Sequence, residues 1–464
     1  MNSSLQSIDA ASFRDPSGFI YYHKGELLRQ VNLIYKDNFE LLINSGLYQG
    51  LVKQKLLIQH KEVDLKYAYN KDAYKVIKPQ VVTPLSYAYD WSFSMLKDAA
   101  LLTLKIQEQA LDHGMILKDA TSFNIQFDKG KPIFIDTLSF EKYEPGRPWV
   151  AYRQFCEQFL APLVLMSKVD LRLNQLLKIY LQGIPLDLTS KLLPKNTYFN
   201  LNFFSHIHLH AKSQARMADK QLNIKQTKFK LSLLQLKSLI SNLHGLIAKL
   251  ELRKDKTEWG EYYTFTNYTK GAFSDKGKFI TQITKRIKPK LVWDLGANDG
   301  YFSRLAGKYG AQVVAFDIDP VAVEKNYLQI KKKKETNLLP LLIDLTNPTG
   351  DYGWANKERP MMVKQSRPDM VMALALVHHL AIGNNVPLNK IAEYFASLGK
   401  YLIIEFVPKE DSKVRKLLAS REDIFLDYKQ TVFERVFAKY FKLVNKHIVK
   451  GSMRTLYLYE NKEK

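Results

Sequence analysis

Three groups of residues have the types and spacing to do chemistry. The densest lies between Val292 and Tyr327. An apolar strand pattern ends there at Asp294, a turn carries Gly296 and Gly300, and an amphipathic helix follows from about Tyr301 to Tyr309. A second apolar strand, Val313 to Phe316, ends in Asp317, and a third, Leu338 to Ile343, ends in Asp344. Glycines at such a turn let the backbone approach a ligand closely, and the helix N-terminus faces that ligand. An acid at the tip of the second strand is placed to accept hydrogen bonds from ribose hydroxyls. The chemistry is that of a nucleoside-cofactor site. The second group is Asp119, Asn124 five residues later, and Asp136 at the end of a strand that follows the Asp128-Lys129-Gly130 turn. Oxygen ligands on two neighbouring loops suit a phosphate-bound metal, and a carboxylate can serve a hydroxyl acceptor. The third is His378-His379, just beyond the strand Met370 to Ala375, where an imidazole could take a proton near neutral pH.

The first group lacks the third glycine of a dinucleotide turn, having only Gly296-x-x-x-Gly300. Asp-Leu-Gly-Ala-Asn-Asp-Gly at 294–300 followed by Phe-Asp-Ile-Asp-Pro at 316–320 resembles the cofactor motifs of class I S-adenosylmethionine-dependent methyltransferases. The resemblance runs from about Trp259 to the C-terminus. It implies an α/β, Rossmann-like domain whose seven-stranded sheet closes with an antiparallel hairpin. Phe441 to Val449 and Met453 to Tyr459, joined at Gly451, read as that hairpin. It further implies S-adenosyl-L-methionine as cofactor, with Asp294, Gly296, Asn298 and Gly300 around its methionine end and Asp317 on the ribose. Asp344 and the backbone of Leu345 would read the adenine. The aromatic-rich stretch before the first strand, with Trp259, Tyr262, Tyr263, Phe265, Tyr268 and Phe273, would act as a lid, Tyr268 being a candidate contact. The fourth-strand region Ala-Leu-Ala-Leu-Val-His-His-Leu resembles that of O- and C-methyltransferases acting on small molecules. It lacks the Asp/Asn-Pro-Pro-Tyr/Phe motif of enzymes that methylate exocyclic amines. The expected acceptor is a hydroxyl of a small molecule or saccharide, with His378 or His379 as the base.

The second group resembles the catalytic loop and metal-binding strand of the protein-kinase-like and aminoglycoside-phosphotransferase-like fold. That resemblance implies Asp119 as the base-like residue, Asn124 and Asp136 as Mg²⁺ ligands, and ATP as the nucleotide. The sequence departs from the pattern at several points. Leu117 stands where the loop usually has His, Thr137 follows Asp136, and no glycine-rich phosphate loop is recognisable. Lys75 and Lys78 are the candidates for the strand lysine by position alone. The remaining alternative for this half is an α+β scaffold whose Asp119 and Asn124 cap turns.

The elements that must position these groups follow from the chain as a whole. At 464 residues it exceeds one compact core. The pattern predicts an α+β domain over 1–210, a basic helical connector over 211–256 and the methyltransferase-like domain over 257–464. In the first, Phe19 to Tyr22 and Leu27 to Val31 predict a hairpin. Leu56 to Val63 and Tyr74 to Val82 predict strands, and Trp91 to Ala110 an amphipathic helix. In the connector Leu233, Leu236, Ile240, Leu243, Ile247 and Leu250 recur at helical steps, predicting a helix packed between the domains. The net charge of +23 admits, as an alternative function, an RNA methyltransferase or nucleic-acid-binding protein that docks through that connector. Lysines are scattered, however, and outnumber arginines. The one cysteine, Cys156, excludes an intrachain disulfide and a multi-cysteine metal site. The sequence has no apolar run of membrane-spanning length and no basic-then-apolar leader pattern, so a cytoplasmic protein is expected.

Overall fold

The computed structural model describes residues 6–211, 230–252, 270–419 and 421–463. The chain divides into two compact units. One comprises Met1–Asp255 with Asp351–Pro360, the other Lys256–Gly350 with Met361–Lys464. Most of the predicted lid, Trp259 to Tyr268, lies outside the described residues, as does the connector over 212–229.

The first unit is built on an antiparallel sheet of β1 (Gln6–Ile8), β2 (Gly18–His23), β3 (Glu26–Asn32), β4 (His60–Val63) and β5 (Ala73–Pro79), in the order β1-β2-β3-β5-β4. The predicted hairpin is β2–β3. Its two-residue turn, Lys24-Gly25, has both residues at positive φ, the twist that matches paired strands. The strand expected from Leu56 starts only at His60, and Leu57 bridges instead to Phe134. Helices Lys36–Asn44 and Leu47–Lys53 connect β3 to β4. Tyr35 and Phe39 pack with Val31 and Ile77 on one face of the sheet, while Tyr21, Leu28 and Val76 cluster on the other. The helix Phe93–Asp112 is capped by the Ser92 hydroxyl, which accepts from the Met95 amide. Beyond it come β6 (Met115–Leu117), β7 (Ile125–Asp128), β8 (Lys131–Phe134) and β9 (Phe140–Lys142), paired β6–β9 and β7–β8.

The connector helix runs from Leu233 to Ala248 behind a capping box formed by Ser232 and Gln235. Its apolar stripe, Leu236, Ile240, Leu243 and Ile247, is buried. In contrast to the sequence expectation, this helix is part of the first unit. Lys97 on helix Phe93–Asp112 donates to the carbonyls of Ala248 and Leu250 at its C-terminal end, each at 2.8 Å. Asp351–Pro360 also belongs to the first unit. There Arg14 forks onto both oxygens of Glu358 at 2.7 and 3.0 Å, and Arg359 stacks over Phe123 at 4.0 Å. This pairing holds the Glu358 carboxyl at about 2.

The second unit is a seven-stranded sheet of β10 (Leu291–Leu295), β11 (Gln312–Asp317), β12 (Leu338–Leu342), β13 (Met370–Ala373), β14 (Tyr401–Phe406), β15 (Phe441–Ile448) and β16 (Thr455–Asn461). Its order is β12-β11-β10-β13-β14-β16-β15. The first five strands are mutually parallel, and β16 inserts antiparallel between β14 and β15. This is the expected Rossmann-like, seven-stranded sheet with its terminal antiparallel hairpin. Strands covered on both faces need near-continuous apolar sequence, and β13 is buried along its whole length. One core cluster joins Phe279, Ile280 and Ile283 of helix Lys270–Ile287 to Val292, Met370, Met372 and Ile403 of the sheet. The order reverses at β10, between β11 and β13, and ligands collect beyond the carboxyl ends of strands at such a switch point. Among the described residues no helix is long and apolar enough to cross a membrane.

Candidate functional site

A cavity of about 290 Å³ opens at that switch point. Its floor is the turn after β10. Gly296 and Ala297 donate their amides to the Phe316 carbonyl at 2.9 and 2.8 Å, which ties the turn to the end of β11. Gly296, Asn298 and Gly300 all have positive φ, at 77°, 51° and 80°. A Cβ on Gly300 would lie 2.5–2.7 Å from side-chain atoms of Asn326 and Arg304. Only glycine meets both constraints there.

The turn delivers the Asn298 amide to Asp317. Asn298 donates to Asp317 Oδ2 at 2.7 Å and Asp319 to Oδ1 at 2.9 Å. The Ile318 amide also contributes, so the carboxylate is held by backbone donors on the rim of the cavity it lines. Burial pushes the Asp317 carboxyl up to about 6, against the pull of these amides. Asp294, at 1 % exposure, is pushed up to about 7 by burial, with the Ser303 hydroxyl donating to it at 2.6 Å. Asp344 is fixed by Thr346, whose amide and hydroxyl both donate to Oδ1, at 2.8 and 2.7 Å.

Of the residues singled out in the sequence, Asp294, Gly296, Asn298, Asp317, Asp344, Leu345 and His379 line this cavity. Gly300 is not among the lining residues and closes the turn onto the helix Tyr301–Gly307. His378 does not line the cavity either. It is fully buried, neither ring nitrogen has a hydrogen-bond partner among the described residues, and burial depresses its basicity well below the ordinary range. His379 opens a π-type turn, His379–Gly383, a local widening of the helix that recurs at functional sites.

Other lining residues escaped sequence reasoning. Leu374, Ala375, Leu376 and Leu380 form an apolar wall, and Phe302 and Lys276 stand near Asp294. Lys276 is 1 % exposed and pairs with Glu405 at 2.7 Å. A signal for it exists. Ala272, Phe273, Phe279, Ile280 and Ile283 form the apolar stripe of helix Lys270–Ile287, and Lys276 falls on that stripe.

In the first unit Asp119, Asn124 and Asp136 do come together. Asp119 is hydrogen-bonded to Asn124 and Gln154, and burial and the facing Asp136 charge raise its carboxyl above the ordinary range. Asn124 donates to Ser139 Oγ at 3.1 Å, and Ser139 donates to Asp136 Oδ2 at 2.6 Å. Arg29 on β3 forms an ion pair with Asp136 at 2.5 Å, an interaction the sequence reading did not foresee. Lys75 and Lys78 do not approach this cluster. They pair with Glu62 and Glu26 at 2.7 and 2.9 Å. Among the described residues no three His, Cys, Asp or Glu side chains group to hold a metal.

No protein-family model matches the chain. Among solved structures, it is similar to the N-methyltransferase NodS of Bradyrhizobium japonicum WM9, at 10 % identity and a TM-score of 0.31, over 41 % of this chain and 97 % of that one. It is also similar to the magnesium protoporphyrin IX methyltransferase ChlM of Synechocystis PCC 6803, at 16 % identity and a TM-score of 0.30, over 44 % of this chain and 88 % of that one. Among curated proteins, nodulation protein NoeA of Rhizobium meliloti (strain 1021) is 36 % identical over 466 aligned residues, which span 98 % of this chain and 96 % of the relative. At that identity over almost the whole of both chains, the protein belongs to the family of NoeA.

Proposed function

We propose that the second unit is an S-adenosylmethionine-dependent methyltransferase acting on a hydroxyl of a small molecule or saccharide. The observation that carries this reading is Asp317. Its carboxylate sits at the carboxyl end of β11, held by backbone amides including those of Asn298 and Asp319, and lines the cavity where a vicinal diol would meet it. The donor set fits the whole cofactor. Asp294, Asp317 and Asp344 place negative charge around a cationic sulfonium ligand. Ile318 and Ile343 offer apolar surface to a flat base beside Asp344 and Leu345. Gly296 supplies the positive φ of 77° that the floor requires, and a Cβ there would reach Leu376 only at contact distance, 3.4 Å.

When bound, S-adenosylmethionine supplies an activated methyl group and its own leaving group. The protein's part is then alignment. Asp317 orients the ribose, Asp294 and the Gly296 turn orient the methionine end, and the wall from Leu374 to Leu376 excludes water from the reacting side. His379, lining the cavity, is the group available to take the acceptor proton. Calorimetry with S-adenosylhomocysteine tests this reading. One site per chain is expected, and no heat of binding would overturn it.

For the first unit we propose the kinase-like fold, supported by the strand order with helices between β3 and β4 and by the convergence of Asp119, Asn124 and Asp136. Arg29 pairs with Asp136 in the ligand-free unit, and a metal bound at Asp136 would compete with that pair. Titration with ATP and Mg²⁺ is expected to give binding that Asp136→Ala loses. No nucleotide binding by the wild type would reduce the unit to a scaffold.

A further inference from the structure

Glu405 is a charged residue near the carboxyl end of an otherwise apolar strand, and it is fully buried. Its Oε2 accepts two hydrogen bonds, from Lys276 Nζ at 2.7 Å and from the Ala375 amide at 2.8 Å. Arg454 Nη1 lies 3.8 Å from Oε1, while Nε and Nη2 of the same guanidinium fork onto Asp411 at 2.7 and 3.0 Å. One carboxylate thereby links the helix Lys270–Ile287, the tip of the chain leaving β13, and the last strand of the sheet.

The tip is the unusual part. Ala375 has a φ of +49°, a left-handed conformation that costs a residue with a Cβ free energy unless its surroundings hold it. Ala375 and Leu376 line the cavity wall, and Leu376 is the side chain that a Cβ on Gly296 would touch. The separation between this wall and the glycine turn therefore sets the width of the cavity where the two approach. A buried ion pair contributes little net stability, because desolvation offsets the attraction. Stability alone does not account for placing one here.

We propose that Glu405 is the positioning residue of this wall: its carboxylate holds the left-handed Ala375 and the Lys276 side chain together and so fixes the wall opposite the Gly296 turn. The proposal rests on the methyltransferase reading for the meaning of the wall, but its geometry can be tested without a ligand.

Two double variants separate positioning from charge. Lys276→Met with Glu405→Gln, and Lys276→Met with Glu405→Leu, both remove the ion pair without leaving a lone buried charge, and Asp411 still holds Arg454. They differ in whether an oxygen remains to accept the Ala375 amide. Hydrogen–deuterium exchange on the ligand-free proteins is expected to show the segment around Ala375 protected in the glutamine variant and exchanging faster in the leucine variant, at similar Tm. Calorimetry with S-adenosylhomocysteine is expected to give about tenfold weaker binding for leucine than for glutamine, the effect of one lost buried hydrogen bond. Adding Ala375→Gly to the leucine variant restores part of that loss, since glycine takes positive φ unaided. Equal protection and equal affinity in the two variants would overturn the proposal. Glu405→Met, closer to glutamate in shape, replaces the leucine if that protein does not fold. If the wild type itself binds no S-adenosylhomocysteine, the cofactor reading falls, while the exchange comparison still decides the role of Glu405.

Discussion

Asp317→Ala is expected to weaken S-adenosylhomocysteine binding by about a hundredfold or more, from the loss of two charge-assisted hydrogen bonds to the ribose. The variant also leaves the Asn298 and Asp319 amides without their carboxylate acceptor, so the turn loosens as the contact is lost. The sheet does not depend on this side chain, and Tm of the ligand-free protein should fall only slightly. The pH dependence follows from the same residue and from Asp294. The ionised carboxylate accepts from ribose hydroxyls and the protonated one offers a competing donor. With the folded carboxyls of Asp317 near 6 and of Asp294 near 7, binding should tighten as pH rises from about 5 through about 7 and level off above that, and Asp317→Ala should lose the lower part of this rise. Calorimetry across pH 5 to 8 on wild type and Asp317→Ala checks both statements. An alanine variant with wild-type affinity would remove Asp317 from the ribose.

Asp294→Asn is expected to stabilise the ligand-free protein at pH 8 while weakening cofactor binding. Asp294 is an acid whose folded value, about 7, lies above the ordinary unfolded value near 3.9. Between those two values the native state keeps its proton and the unfolded state releases it, so stability falls as pH rises from about 4 to about 7. Above 7 the folded protein carries the full cost of a buried carboxylate. Asparagine removes that cost and can still accept from Ser303. Tm should rise by about 2–4 °C for each kcal/mol recovered in a domain of this size. Thermal scans at pH 5 and pH 8 provide the check. The gain should be present at pH 8 and much smaller at pH 5, and an equal shift at both would show that ionisation of Asp294 is not its origin. The trade of ligand-free stability for ligand affinity is common at binding sites.

The part of the protein legible in its sequence is the part encoded locally. Asp294, the glycine turn and Asp317 fall within one strand-turn-helix-strand passage, and backbone geometry alone brings them together. The terminal hairpin was legible because Gly451 punctuates two strand-like runs. What stayed hidden depends on pairs far apart in the chain. Nothing near Lys276 points to Glu405, and nothing near Asp136 points to Arg29. The burial of His378 against the exposure of its neighbour to the cavity is a matter of one step along a turn, which residue type does not reveal. The connector helix was read correctly as amphipathic, but an apolar stripe does not say which core it joins.

The excursion of Asp351–Pro360 has a consequence for the gene rather than for the site. The coding sequence of the second unit is interrupted by ten codons whose product completes the first. A crossover that exchanged either half for a homologous one would separate Arg14 from Glu358 and Phe123 from Arg359. The two halves are therefore interleaved in heredity. A single crossover between the halves would keep the first unit intact only where both of these pairings stay complementary.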